Sequence, residues 1–107
     1  MKNLSIKTLD GTQDIHIIVK GDLSAIDAMS FKKHSQRLIS ESDKNMTIDL
    51  SDVTNFDIAG LNAILQAHRN LKLKGSELKV ISMRNETVAE LFYLTQFDKY
   101  LSIIPAA

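Results

Sequence analysis

Three groups of side chains in this sequence have types that can do chemistry. They are the carboxylates Asp49, Asp52 and Asp57, the imidazoles His16, His34 and His68, and the hydroxyls Ser24, Ser51, Thr54 and Ser82. The carboxylate set suits Mg²⁺, a hard cation that takes oxygen ligands. It suits turns and helix starts better, because Asp there accepts backbone amides. The histidines stand apart from one another. His16 alternates within an apolar run, His34 sits among helix-face residues and His68 falls on the apolar side of a helix, none with a partner at a diagnostic spacing. The sequence has no cysteine and no His-x-x-x-His pair, so it supports no metal centre, thiol catalysis or disulfide. Its four glycines, Gly11, Gly21, Gly60 and Gly75, are too dispersed for a phosphate-binding loop. No catalytic set assembles, no cofactor is implied, and an enzyme is the weakest of the functional classes.

The stretch with most content is Asp57-Ile58-Ala59-Gly60, where a strand, a polar connection and an amphipathic helix meet. A helix N-terminus presents free amides and the positive end of a dipole, so a hydroxyl there could hold a phosphate. Asp57 suits the N-cap, and Gly60 lets another backbone approach closely. A plain cap with a tight packing point fits these residues equally well.

The elements that must position this joint follow from hydrophobic spacing. The sequence has 107 residues, 44% hydrophobic and 24% charged, which fits one domain, residues 1–107, with one core. Thirteen cations balance thirteen anions with no long block of either sign, which argues against a broad nucleic-acid-binding face. No apolar run approaches the ~20 residues of a membrane span. The first seven residues also lack the uninterrupted apolar core of a signal peptide, so a cytoplasmic location is expected.

Leu4–Leu9 and Ile15–Lys20 read as a hairpin around Asp10-Gly11, with Gly21-Asp22-Leu23 ending the second strand. Ser24 or Asp27 then caps a helix to about Ser42, with Ile26, Met29, Phe31, His34, Leu38 and Ile39 as its apolar stripe. Met46–Leu50 reads as an interior strand and Ser51–Asp57 as a loop anchored by Val53 and Phe56. Leu61, Ile64, Leu65, His68 and Leu71 mark one face of the next helix, which Gly75 stops. Leu78–Ile81 gives another strand. Asn85 caps a third helix packed through Val88, Ala89, Leu91, Phe92 and Leu94, and Tyr100–Ile104 gives a short last strand. The fold class is α/β. The order β-β-α-β-α-β-α-β gives a mixed sheet of about five strands with three main helices, the later strands joined in parallel.

The run from Thr47 to Leu61, containing Asp57-Ile58-Ala59-Gly60, resembles the STAS domain of bacterial anti-sigma factor antagonists. Gly21-Asp22-Leu23 is similar to that family's Gly-Glu-Leu-Asp before its first helix. Leu71–Leu78 is similar to its helix exit, and Leu94-Thr95-Gln96-Phe97 to its Leu-Thr-Gly-Leu segment, with Gln96 at the usual glycine. The likeness covers nearly the whole chain.

The resemblance implies an α/β STAS fold and a non-enzymatic regulator that binds an anti-sigma factor or a serine-kinase-like ATPase in a partner-switching system. Partner contact would gather at Asp22, Ser24, Thr54, Asp57, Ile58, Ala59, Gly60 and Asn62. In such proteins the kinase phosphorylates a Ser or Thr directly after the aspartate, and phosphorylation breaks the complex. That position here is Ile58, followed by Ala59, and neither side chain can accept phosphate. Ile58 either tucks into the core or offers an apolar contact to a partner. Ser24, Ser51, Thr54 and Ser82 are the hydroxyls that could take over the switch, although each also fits a cap or turn. The alternative class is an accessory subunit of a lipid or anion transporter, bound to an ABC transporter ATPase. Pairing of two copies stays open.

Overall fold

β-branched residues alternating with polar ones build the sheet from its first hairpin. The computed structural model describes residues 4–81, 86–96 and 102–104. Strands β1 (Leu4–Asp10) and β2 (Asp14–Leu23) pair antiparallel, and the Gly11 amide donates to the Asp14 carbonyl at 2.9 Å in the turn. Three strand–helix–strand units follow. Helix α1 (Ala25–Glu41) leads to β3 (Asn45–Phe56), α2 (Ile58–Leu73) to β4 (Leu78–Ile81), and α3 (Glu86–Leu94) to β5 (Ser102–Ile104). Each new strand adds in parallel, which gives a five-stranded mixed sheet in the order β1-β2-β3-β4-β5. This is the architecture expected from the sequence.

Right-handed crossovers that step one way across a sheet put their helices on one face. Burial follows that rule. Ile15, Ile17 and Val19 of β2 and Met46, Ile48 and Leu50 of β3 are buried, whereas the intervening His16, Ile18, Thr47 and Asp49 are half-buried. The core lies between the first set and Phe31, Ile39, Leu61, Ile64, Leu71, Val88 and Phe92 from the helices.

Three expectations need correction. The buried stripe of α1 is Ala28, Phe31, Ser35 and Ile39, whereas Ile26 and Met29 face outward and His34 and Leu38 are half-buried. Ser35 fits the core because its hydroxyl donates to the Lys32 carbonyl at 3.0 Å, leaving no unmatched donor. Residues 51–56 are strand and not loop, because β2 continues to Leu23 and supplies a ladder partner. The register between β2 and β3 shifts twice. The Asp49 carboxylate accepts the Ser51 amide at 2.9 Å at the first shift, and Thr54 is the extra residue at the second. Finally, Leu94 is exposed and does not help to pack α3. Ser82, Asn85, Phe97, Tyr100 and Leu101 lie outside the described residues.

The turn that follows α3 takes a backbone geometry that favours glycine. Gln96 follows α3 with φ of +61°, in the left-handed region. A non-glycine residue there is strained by about 1–2 kcal/mol. Gln96→Gly is therefore expected to raise stability by about 1 kcal/mol, offset in part by glycine's greater entropy in the unfolded chain. Urea denaturation should show a higher midpoint with an unchanged slope.

Candidate functional site

The start of α2 is fixed by one carboxylate. Asp57 stands at the N-cap in an extended conformation, and its Oδ1 accepts the Gly60 amide at 3.1 Å. The Asp57 carbonyl accepts the Leu61 amide at 2.9 Å, the first turn of the helix. Its second oxygen, Oδ2, accepts the Ala25 amide at 3.3 Å. Ala25 is the first residue of α1, so one side chain serves the orphan amides of two helix starts. The cap expected from sequence is present, and it is also a bracket between helices. Asp57→Ala is expected to lower stability by about 1–2 kcal/mol, the usual cost of losing an N-cap. Urea unfolding measures it, and Asp57→Asn should recover part of the loss.

The far ends of the same helices are tied in the opposite electrostatic sense. Lys74, just past α2, donates through Nζ to the Ile39 and Ser42 carbonyls at the end of α1 and pairs with Asp43 at 3.3 Å. An ammonium suits the negative end of a helix dipole as a carboxylate suits the positive end. With Asp57 at one end and Lys74 at the other, α1 and α2 start together and finish together. Gly75 follows with φ of +77° and its amide donates to the Lys72 carbonyl at 3.0 Å, the left-handed stop expected from the sequence.

Gly60 is buried where α2 meets the end of β2. A Cβ built there would lie 2.2 Å from the Leu23 carbonyl oxygen and 2.9 Å from Cδ1 of Phe56. The close approach is made by backbone, so the packing-point reading of Gly60 holds. Beside it, Ser24 occupies the N-cap position of α1, yet its hydroxyl turns away from the helix and donates to Asp22 Oδ1. Its carbonyl accepts the amides of Asp27 and Ala28, at 3.1 and 3.3 Å. Ala25 takes φ of +48°, a left-handed conformation.

Several side chains named from sequence therefore meet at one end of the domain. Asp22, Ser24 and Asp57 are linked through Ala25, Gly60 underlies them, and Ile58 and Ala59 begin the helix that Asp57 caps. Ile58 is 55% exposed, which decides between its two readings in favour of the surface. Ala59 is half-buried, and Asn62 is exposed one turn further on. Thr54 is exposed at the bulge of β3, short of the helix start.

Sequence reasoning missed Ile26, 78% exposed, and Met29, 59% exposed. Ile26 follows Ala25 as Ile58 follows Asp57, so the bracket sets the two isoleucines at neighbouring helix starts, with Met29 one turn along α1. The sequence held no signal that could have found them, since both fall at helical spacing with residues that pack. On the α3 side of the joint, a shallow groove of about 200 Å³ is lined by Phe56, Asp57, Glu90, Leu91 and Leu94. The ring of Phe56 stacks on Phe92 with centroids 5.8 Å apart.

Several chemistry-bearing residues have structural partners. Asp49 holds the β3 bulge and Asp57 the helix starts. Among the described residues no group of His, Asp and Glu is arranged to hold a metal ion. His34 Nε2 lies 3.0 Å from Thr8 Oγ1, joining α1 to β1. Burial, helped by Arg37, lowers its pKa, and burial with Lys72 and Arg69 lowers that of His68. No described helix is long and apolar enough to cross a membrane.

Residues 3–106 match the sequence profile of the STAS domain. The chain belongs to the STAS family. Solved structures of anti-sigma factor antagonists share its fold at low sequence identity. An anti-sigma factor antagonist from Mycobacterium paratuberculosis is 18% identical and superposes with a TM-score of 0.86, covering 96% of this chain and 86% of that one. SpoIIAA in its unphosphorylated form is 13% identical with a TM-score of 0.82, covering 96% and 89%. The phosphorylated form of Bacillus SpoIIAA is 12% identical with a TM-score of 0.76, covering 96% and 92%. Asp57 caps α2 and Gly60 and Leu61 lie in its first turn, with Ile58 and Ala59 between Asp57 and Gly60.

Proposed function

We infer that this STAS domain is a non-enzymatic binding protein of the anti-sigma factor antagonist type, which docks an anti-sigma factor or serine-kinase-like ATPase at the start of α2 and is not phosphorylated at Ile58. The observation that carries this reading is the exposure of Ile58, 55% open at the first position of a helix that Asp57 caps. An isoleucine exposed on a rigid element loses apolar hydration when a partner covers it, worth about 1.5–3 kcal/mol. The solved relative SpoIIAA exists in unphosphorylated and phosphorylated forms. A phosphate carries about two negative charges and breaks an apolar contact by repulsion and desolvation. With Ile58 and Ala59 in those positions, the contact here is persistent and is governed by the abundance of the partners.

Affinity capture of the tagged chain from its own cells, with mass spectrometry, tests the partner class. Recovery of a kinase-like ATPase or an anti-sigma factor is expected; recovery of an ABC transporter ATPase would overturn the reading. Ile58→Asp is expected to weaken the captured complex by about tenfold or more, since 1.4 kcal/mol is a factor of ten. Ile58→Ser should leave the fold intact while supplying an acceptor. Incubation of that variant with the captured kinase and ATP should produce a phosphorylated chain where the unaltered chain stays unmodified.

A further inference from the structure

The docking end of the domain has a charge sign as well as an apolar centre. Residues 21–31, which close β2 and open α1, contain Asp22 and Asp27 and no Lys, Arg or His. Residues 53–65, which close β3 and open α2, contain Asp57 and likewise no cation. Glu90 stands on the facing wall of the groove beside Asp57. Asp52 is opposed across the ladder by Lys20 and adds little net charge. The first cations along α1 are Lys32 and Lys33, about one turn past Met29, where the exposed apolar residues end. The cations of the other helix lie at its far end, where Arg69, Lys72 and Lys74 are followed by Lys79. Among the described residues the two helix starts thus form an acidic pole, whereas the far end of the helices mixes Arg69, Lys72 and Lys74 with Glu41, Asp43 and Glu77.

The helix starts carry positive partial charge, and Asp27 and Asp57 offset it locally. Asp22 and Glu90 stand outside those helix starts. The exposed apolar residues Ile26, Met29 and Ile58 sit at this acidic pole. Exposed apolar side chains rimmed by charge are the anatomy of a protein contact, and complementary charge on the rim guides its partner.

We propose that Ile26, Met29 and Ile58 form a single docking pad whose occupant is a protein surface with an apolar centre and a Lys/Arg rim, so that the basic side chains face Asp22, Asp27, Asp57 and Glu90. This rests on the partner-binding reading above and specifies the chemistry of the partner's surface. Asp57 has a positioning role in it, because its bond to Ala25 holds the α1 part of the pad beside the α2 part. A second copy of this chain is a poor occupant of the pad in a symmetric contact, since two acidic poles would face each other.

The test uses the full nitrogen-15-labelled chain and two designed amphipathic helical peptides with the same leucine face, one with lysines on its polar face and one with glutamates. The lysine peptide is expected to shift the amides of residues 21–30 and 54–62 and to bind about tenfold more tightly than the glutamate peptide. Raising the salt should shrink that preference, since exposed charges are screened. Ile26→Ser with Met29→Ser should weaken the lysine peptide about as much as Ile58→Ser, because the pad is shared. Equal binding of the two peptides, or shifts centred on Glu41, Asp43 and Glu77, would overturn the proposal. So would self-association in sedimentation that Ile26→Ser and Ile58→Ser abolish. The two readings fail separately. Peptide shifts at the pole with only an ABC transporter ATPase in the capture experiment defeat the functional class alone, whereas a captured kinase whose binding needs Ile58 but is indifferent to salt defeats the charge assignment alone.

Discussion

Replacing Gly60 by alanine is expected to destabilise the domain by about 2 kcal/mol or more, although alanine is the better helix former. In an open helix the exchange would gain about 1 kcal/mol. Here the new Cβ would lie 2.2 Å from the Leu23 carbonyl oxygen and against the ring of Phe56. Leu23 belongs to the end of β2, paired in the ladder with Phe56, so its carbonyl cannot turn aside alone. Overpacking a rigid site costs about 1–3 kcal/mol, occasionally more, and the excess falls on the contact that holds α2 to the sheet.

Gly75 is the comparison that separates cause from residue type. A Cβ there meets nothing within 4 Å, and only φ of +77° opposes alanine, so Gly75→Ala should cost about 1 kcal/mol. Asparagine tolerates the left-handed region, hence Gly75→Asn should recover part of that loss while Gly60→Asn should be worse than Gly60→Ala. Equilibrium urea unfolding of the four variants measures these differences. Equal losses at Gly60 and Gly75 would mean that β2 yields to the helix and that the close approach is soft.

Local chemistry made much of this legible in the sequence. Asp57 and Gly75 bounded α2 because a cap and a left-handed stop act within one turn. Ile15, Ile17 and Val19 alternated as a half-covered strand must. What misled was a residue type doing a tertiary job. Ser51, Asp52, Thr54 and Asn55 are residue types common in turns, yet β2 provides a ladder for them and bulges absorb the extra residues. Ile26 and Met29 are apolar at helical spacing, and periodicity alone cannot tell a core face from a surface kept for another molecule. The site divided in the same way. The cap on Gly60 is local and could be read, whereas the bond from Asp57 to Ala25 joins residues 32 apart and exists only once β2 and β3 lie side by side.

The second large effect is expected at Phe92, which lies beneath α3 with 1% of its surface exposed. Phe92→Ala should cost about 3–5 kcal/mol, of which the stacked Phe56 ring supplies about 0.5–1.5 kcal/mol. A domain of this size has about 5–15 kcal/mol in total, so the variant would stand near the edge of folding. Phe56 also lines the groove beside Asp57 and lies against Gly60, which makes the aromatic pair the link between α3 and the docking end. Phe92→Leu keeps most of the apolar volume but not the ring pair, and should cost less than half as much. Hydrogen exchange on that milder variant distinguishes two kinds of loss. If α3 is held chiefly by this pair, amides of residues 88–96 should lose protection while those of β2 and β3 keep it. An equal loss across the sheet would mean that α3 unfolds only with the core, and that Glu90 and Leu94 present a groove wall as rigid as the start of α2.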